Sequence, residues 1–264
     1  MQKLTVNQAG GVVTLMLSRP EIHNAFDDEL ITQISNALEV IRDDASARVL
    51  VLAGAGRSFC AGADLNWMRS MVEYSEESNR QDSIRLAQLY ECIDEFPKPV
   101  VARVQGAAIG GGCGLVATAD IVVAGPRARF ALSEVRLGLA PAVISPFVTR
   151  KIGTSRAREM FLTGRRIRPD EALRYGLIHE VVSDEALLDD AVTKWVKMLL
   201  LGGPDALAAC KVLAREADQW DAPRARTAAM IARLRTGNEG QSGMRAFLNK
   251  AAPPWHSDEG EESA

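Results

Sequence analysis

Residues 106–114 read Gly-Ala-Ala-Ile-Gly-Gly-Gly-Cys-Gly. It follows the β-branched run Val100–Val104 and precedes an alanine-rich helical stretch expected to start near Leu115. A strand, a glycine-rich turn and a helix N-terminus in this order present unpaired N–H groups to a ligand, because no Cβ holds the ligand away. The turn has neither the Lys-Ser/Thr ending of a Walker loop nor a convincing dinucleotide fingerprint. Taken alone, it indicates an anion or oxyanion site, or tight packing of a helix against a strand.

A second turn of small residues follows another strand-like run. The run is Val49-Leu50-Val51-Leu52-Ala53, and the turn reads Arg57-Ser58-Phe59-Cys60-Ala61-Gly62-Ala63-Asp64-Leu65. Joined to Gly110-Gly111-Gly112-Cys113, this peptide resembles the crotonase (enoyl-CoA hydratase/isomerase) superfamily. Further matching motifs follow in the family's order over nearly the whole chain, at residues 19–26, 130–134, 162–167 and 172–177.

The resemblance implies an α/β fold, a crotonase-like spiral of ββα units with a C-terminal helical trimerisation region. We therefore expect a catalytic core over residues 1–200 and a helical oligomerisation region over residues 201–264. Because the family forms trimers and dimers of trimers, a homotrimer or a dimer of trimers is expected here. The helical periodicity of the tail fits an ordinary intramolecular core equally well.

The same resemblance assigns the chemistry to two backbone donors. The N–H groups of Ala63 and Gly111 would bind the thioester oxygen of an acyl-CoA, on which negative charge develops. Coenzyme A is part of the substrate, so neither a separate cofactor nor a metal is expected. The residues that the resemblance places along the substrate are His23, Ala25, Phe26, Ala61, Asp64, Leu65, Met68, Gly110, Leu139, Phe247 and Lys250. The last two would meet the CoA of a neighbouring subunit in many family members.

A proton must also be moved, and Glu134 matches the family's second catalytic glutamate. Hydratases of the family place two glutamates around the reacting water, and the first would follow Gly-Gly-Gly-Cys, where this chain has Gly114. A single carboxylate also fits an enoyl-CoA isomerase, which shuttles one proton between two carbons. The segment from Ser133 to Phe147, however, resembles bacterial methylglutaconyl-CoA hydratases of leucine catabolism and carboxygeranoyl-CoA hydratases. Those enzymes resemble this chain in lacking the first glutamate.

Three functions therefore stay open. The leading one is hydration of a 2-enoyl-CoA thioester, with methylglutaconyl-CoA as the indicated substrate. The second is a Δ3,Δ2-enoyl-CoA isomerase that uses Glu134 alone, and the third is a non-catalytic protein that binds acyl-CoA or RNA. A carboxylated acyl chain would need a cationic partner, for which Arg69 and Arg136 are the nearest candidates in sequence.

Each candidate also has a purely structural interpretation. Asp64 and Asp120 are residue types that cap turns and bind backbone amides, and Arg19, His23 and Arg136 are charged or polar groups that usually face solvent. An arbitrary glutamate such as Glu134 is most often a surface charge. The motif match is what favours its catalytic role.

Composition agrees with a globular enzyme that binds no nucleic acid. The chain has 264 residues, of which 47% are hydrophobic and 25% charged, with a formal net charge of −3. A nucleic-acid surface usually leaves a basic excess, which is absent here. The four cysteines are widely spaced without a Cys-x-x-Cys pair, and the three histidines lack metal-ligand spacing. With no charged leader and no apolar run of about twenty residues, the expected location is the cytoplasm, away from membranes.

Hydrophobic periodicity gives a coarse secondary structure. It predicts strands at 12–17, 48–53, 100–104, 121–124, 130–132 and 178–182. It predicts helices at 27–42, 65–71, 77–96, 184–201, 204–217 and 223–248, with Asp27 as the N-cap of the first.

Overall fold

The computed structural model describes residues 2–256 and shows an α/β fold. A six-stranded sheet has the order β1-β2-β3-β4-β6-β8. Only β1 and β2 are antiparallel, and the other neighbours are parallel. The strands are β1 (Leu4–Ala9), β2 (Val12–Leu17), β3 (Val49–Gly54), β4 (Val100–Val104), β5 (Ala107–Ile109), β6 (Ile121–Ala124), β7 (Arg129–Ala131) and β8 (Glu180–Val181). β5 and β7 form a separate parallel pair.

Ten α-helices connect and cover the strands in the described part of the chain. They are α1 (Asp28–Asp43), α2 (Leu65–Val72), α3 (Glu76–Asp94), α4 (Gly111–Thr118), α5 (Ser145–Thr163), α6 (Pro169–Tyr175), α7 (Leu188–Leu200), α8 (Pro204–Glu216), α9 (Pro223–Thr236) and α10 (Asn238–Leu248). Among these helices, none is long and apolar enough to cross a membrane.

Both faces of the sheet are covered by helices, as is typical of a mainly parallel sheet. Along β3, Leu50 and Leu52 belong to the large core shared with α1, α3, α4 and α5. The alternate residues Val49 and Val51 belong to a smaller cluster covered by α7. All six residues of β3 are buried, which explains why its sequence reads as a continuous apolar run.

Most predicted elements are confirmed, and the differences have physical causes. The β1 strand was missed because only Leu4 of its six residues is buried, so the strand shows no alternation. Helix α4 begins at Gly111, earlier than predicted near Leu115, because dense packing outweighs the poor helix propensity of glycine. A Cβ on Gly112 would lie only 2.3 Å from the carbonyl oxygen of Cys60.

The long helix predicted at 223–248 is two helices, since Gly237 has extended backbone angles. Helices α5 and α6 were not predicted.

The C-terminal helices differ in how they pack. Lys211 of α8 donates to the Asp120 carboxylate at 2.7 Å and to the Lys98 carbonyl at 3.2 Å, which holds α8 against the core. In contrast, α9 buries no residue and α10 buries only Ala246. Their exposed apolar side chains are Ile231, Met244, Phe247 and Leu248. The division of the chain at residue 200 stays a prediction, and residues 257–264 of the predicted tail lie outside the described residues.

Candidate active site

The register of three parallel segments brings the predicted reactive groups to one place. Cys60 forms a parallel bridge with Ala108 of β5, and Ala108 pairs with Phe130 of β7. Counting onward from these aligned residues, Ala63 and Gly111 come three residues later and Glu134 comes four residues later. Parallel segments leave a sheet at the same end, so both donors and the carboxylate emerge together.

The Ala63 N–H is left available by the geometry of its bridge. Ala63 pairs with Phe26 in parallel, and this bridge uses the Gly62 carbonyl and the Asp64 N–H. The N–H of Ala63 itself therefore points away from Phe26. Because Ala63 is solvent-exposed, a ligand can reach this donor.

The Gly111 N–H begins helix α4, where a first-turn N–H has no partner inside the helix. It follows Gly110, whose φ of 53° and ψ of −119° are strained for any residue with a side chain. The Gly110 N–H donates to the Ala131 carbonyl at 2.9 Å, which fixes the turn to the end of β7. The helix dipole adds to the attraction for a developing negative charge at this donor.

Glu134 begins a short 3-10 helix directly after β7 and the loop that follows it. Its Oε1 lies 3.2 Å from the position that a Cβ on Gly110 would take, so the carboxylate stands beside the second donor turn. Its Oε2 is buried without a hydrogen-bond partner among the described residues. Burial raises the pKa of Glu134 above that of an ordinary glutamate. A half-buried carboxylate with a raised pKa and one oxygen without a partner among the described residues suits a group that exchanges a proton with water or substrate.

The place of the missing carboxylate is occupied by Tyr90 of α3. A Cβ on Gly114 would lie 2.8 Å from Cζ of Tyr90 and 2.6 Å from Cγ2 of Ile144. Tyr90 is fully buried, and its hydroxyl donates to the Gly111 carbonyl at 2.9 Å. The sequence analysis did not identify Tyr90. The available signal was that Gly111 and Gly114 lie three residues apart on one face of the helix, where the two missing side chains leave room for a buried ring.

The geometry can be compared with known proteins. A family model described as enoyl-CoA hydratase/isomerase matches residues 7–258. The chain belongs to this family. The enoyl-CoA hydratase ACTT6 of Alternaria alternata is 35% identical over 244 residues, which cover 92% of this chain and 80% of that protein. The 2,3-dehydroadipyl-CoA hydratase of Escherichia coli is 35% identical over 256 residues, covering 96% and 98%. A crystal structure of an enoyl-CoA hydratase from Shewanella pealeana has a TM-score of 0.93 at 40% identity, covering 96% of each chain.

Membership in the enoyl-CoA hydratase/isomerase family confirms the resemblance, the α/β crotonase fold and an enzyme of the enoyl-CoA hydratase type, a hydro-lyase. It leaves the roles of individual residues as predictions. No group of three or more histidine, cysteine, aspartate or glutamate side chains within residues 2–256 is arranged to hold a metal ion.

The first turn, residues 57–65, is held in place by an ion pair and a helix cap. Asp64 is the N-cap of α2, accepting from the Asn66 N–H at 2.7 Å, and it pairs with Arg19 at 2.7 Å. Burial alone would raise the pKa of Asp64, but the hydrogen bonds from Asn66 and Arg19 outweigh it and lower the pKa. Its oxygens are thus occupied by the protein, which supports the structural interpretation over the predicted contact with substrate.

The loop at residues 19–26 lies directly against the first turn. The His23 ring contacts the Ser58 hydroxyl at 3.0 Å, and the His23 carbonyl accepts from the Ala61 N–H at 3.0 Å. The Ala25 carbonyl accepts from Arg19 at 2.8 Å. The Phe26 ring is buried beneath Gly111, so this side chain belongs to the core and only its neighbours can border a ligand.

Two exposed leucines flank the reactive groups. Leu65, the first residue of α2, is 70% exposed, and Leu139, whose N–H donates to the Glu134 carbonyl at 3.1 Å, is 59% exposed. Met68 is half-buried one helical turn after Leu65. These positions agree with the prediction that the three side chains border an acyl chain.

Phe247 is the exposed penultimate residue of α10, and Lys250 follows the end of that helix. Helix α10 packs near the amino end of β3, because Glu239 caps the start of α8 and Arg48 donates to the Trp255 carbonyl. Arg48 directly precedes β3, whereas the first donor turn follows the other end of that strand. The contact of Phe247 and Lys250 with CoA stays a prediction.

Proposed function

We propose that this protein adds water to a 2-enoyl-CoA thioester. The observation that carries the proposal is the shared register of Ala63, Gly111 and Glu134. It sets two backbone N–H groups and one carboxylate, with an oxygen that has no partner among residues 2–256, at the same end of three parallel segments. Two N–H groups fixed by the fold can hold a thioester oxygen without any change of protonation state. No cofactor beyond the coenzyme A of the substrate is needed for this chemistry.

In the proposed reaction Glu134 acts first as a base. Its carboxylate takes a proton from water while the water oxygen bonds to C3, and the electrons of the C2–C3 double bond move toward the thioester oxygen. The N–H groups of Ala63 and Gly111 bind the negative charge that collects there. Glu134 then returns the proton to C2, so that one water is added and the enzyme is restored. The raised pKa of Glu134 suits both halves of this cycle.

For the acyl group we propose a branched, carboxylated chain such as methylglutaconyl. Support comes from the 2,3-dehydroadipyl-CoA hydratase, whose named substrate also carries a second carboxylate. Of the two candidate cations, Arg136 is exposed on the same short helix as Glu134. The Arg69 guanidinium instead donates a hydrogen bond to the side-chain oxygen of Asn66 on the same helix, α2, at 2.8 Å. Arg136 is therefore the better partner for a distal carboxylate.

A second candidate is Δ3,Δ2-enoyl-CoA isomerisation. The observation in its favour is that Tyr90 and Ile144 fill the space that a second carboxylate on residue 114 would need. One carboxylate is sufficient to move a proton between C4 and C2 without any water.

We also propose that the chain forms a homotrimer or a dimer of trimers. The exposed apolar side chains of α9 and α10 support this assembly, since monomers rarely expose such groups together.

The test is a panel of straight-chain, branched and carboxylated 2-enoyl-CoA and 3-enoyl-CoA thioesters, with hydrated products identified by mass and isomerised products by the ultraviolet absorption of the conjugated 2-enoyl thioester. The proposal predicts a 3-hydroxyacyl-CoA, heavier by one water, with the fastest turnover for a carboxylated member. Conversion of 3-enoyl-CoA to 2-enoyl-CoA without any hydrated product would instead establish the isomerase. Binding of every thioester without any product would establish a non-catalytic acyl-CoA protein.

A further inference from the structure

We propose that Tyr90 is the positioning residue of this one-glutamate site, filling the place of the absent side chain at residue 114 and fixing the Gly111 donor. The inference rests on the proposed function only in taking Gly111 as an oxyanion donor. It is independent of whether the reaction is hydration or isomerisation.

The first support is steric. A Cβ on Gly111 would lie 2.9 Å from the Tyr90 hydroxyl oxygen, and a Cβ on Gly114 would lie 2.8 and 2.9 Å from ring atoms of Tyr90 and 2.6 Å from Cγ2 of Ile144. The phenol ring thus lies across the first turn of α4, between two glycines three residues apart. Real Cβ atoms almost never approach so closely, so the ring and a side chain at residue 114 are mutually exclusive.

The second support is the hydrogen bond. The Tyr90 hydroxyl donates to the Gly111 carbonyl at 2.9 Å, and the same residue carries the donor N–H on its other side. Tyr90 is fully buried, and its ring centroid lies 6.1 Å from that of Phe147. This packing fixes the position of the hydroxyl. A donor displaced by a fraction of an ångström stabilises the transition state less, because oxyanion donors act through fixed geometry.

The third support is the state of the hydroxyl. Burial, with Cys60, Glu134 and Cys113 nearby, raises the pKa of Tyr90 well above 10. The hydroxyl therefore keeps its proton at any working pH and stays a donor to Gly111. Because Tyr90 is fully buried, it acts through Gly111 and does not touch the substrate.

The experiment compares Tyr90→Phe with Tyr175→Phe. Tyr175 is the control because its hydroxyl is hydrogen-bonded too, to Glu159, Glu171 and Arg165, but in a different part of the molecule. The probe is cinnamoyl-CoA, a conjugated thioester whose absorption moves to longer wavelength when its carbonyl is polarised. With the wild type we expect a clear red shift on binding.

For Tyr90→Phe we expect a smaller red shift at saturating probe, with the Kd of the probe changed less than about threefold. On whichever enoyl-CoA the wild type converts, kcat should fall about tenfold while KM stays nearly constant. Tyr175→Phe should show the wild-type red shift and kcat. A purely structural role for Tyr90 would lower the Tm without changing the spectrum.

Two outcomes would overturn the inference. One is a Tyr90→Phe variant with the wild-type red shift and kcat, and the other is a wild type that binds the probe without any shift, which removes Gly111 as a donor. Failure of the proposed hydration is visible separately, in the products that the wild type forms.

A second variant pair tests the steric argument. Gly114→Ala should lower the Tm in the wild-type background, because the new methyl group meets both Tyr90 and Ile144, of which only Ile144 is kept when Tyr90 is replaced. In a Tyr90→Leu background the same substitution should lower the Tm by less. An equal decrease in both backgrounds would contradict the claim that Tyr90 occupies the space of residue 114.

Discussion

The two turns that carry the proposed donors are held in different ways. The first, residues 57–65, is fixed by charge, since Asp64 binds Arg19 and caps α2. The second, residues 106–114, contains no aspartate, glutamate, lysine or arginine. Its shape depends on glycines that lie too close to neighbours to carry a Cβ, and on the hydroxyl of Tyr90. The first proposed donor is thus positioned with the help of an ion pair, and the second by close packing and hydrogen bonds.

The carboxyl groups beside the two turns, those of Asp64 and Glu134, also differ in their surroundings. Asp64 has hydrogen-bond partners on both oxygens and a lowered pKa. Glu134 has a buried oxygen without a partner in the described part of the chain and a raised pKa. The environment, more than the residue type, separates the structural carboxylate from the catalytic candidate.

The largest effect that sharpens this comparison is expected from Gly111→Pro. Proline removes the N–H donor while suiting the first position of a helix, so kcat should fall about a hundredfold or more. Gly111→Ala is the matched control, because it introduces the same crowding against Tyr90 and Phe26 but keeps the N–H. A folded Gly111→Pro protein with a kcat near that of the wild type would mean that the N–H does not act on the substrate.

A smaller effect, mainly on stability, is expected from Asp64→Asn. Asparagine can keep the helix cap but loses the ion pair with Arg19, so the free energy of unfolding should fall by about 1–3 kcal/mol. Urea denaturation measures this change, and kcat should stay within about tenfold of wild type. A loss of kcat comparable to that of Gly111→Pro in a folded variant would place Asp64 in the chemistry.

The smallest expected effect is on the stability of Glu134→Gln. Because the folded-state pKa of Glu134 is raised, this residue contributes stability that is present below its unfolded pKa and lost as the pH rises through the folded value. At pH 7 the glutamine variant should therefore have a Tm higher by roughly 1–3 °C. The advantage should vanish below about pH 4. Glu39→Gln, at an exposed position of α1, should show no such change, and a lower Tm for Glu134→Gln at pH 7 would contradict the burial of an unpaired charge.

Much of the fold follows from sequence because apolar runs such as 49–53 and the two glycine-rich turns are local signals. The family resemblance, in turn, singled out Ala63, Gly111 and Glu134. Their alignment could not be predicted, since the bridge from Cys60 to Ala108 joins segments 48 residues apart in the chain. The contact of Tyr90 with Gly111 and Gly114 could not be predicted for the same reason. A tyrosine on the inner face of a helix is indistinguishable from ordinary core until α3 is seen against α4.

The central claim is that Glu134 is the sole carboxylate that moves the proton. The most direct measurement is the pH profile of kcat/KM for hydration of the best panel substrate, by wild type and Glu134→Gln, with the Kd of the product thioester as the control for binding. We predict that wild-type activity falls as the pH drops through a pKa above 4.5, the ordinary value for a glutamate. Glu134→Gln should be slower by at least about a hundredfold, without that acidic limb and with a nearly unchanged Kd. A folded Glu134→Gln protein that hydrates the substrate at the wild-type rate would contradict the account.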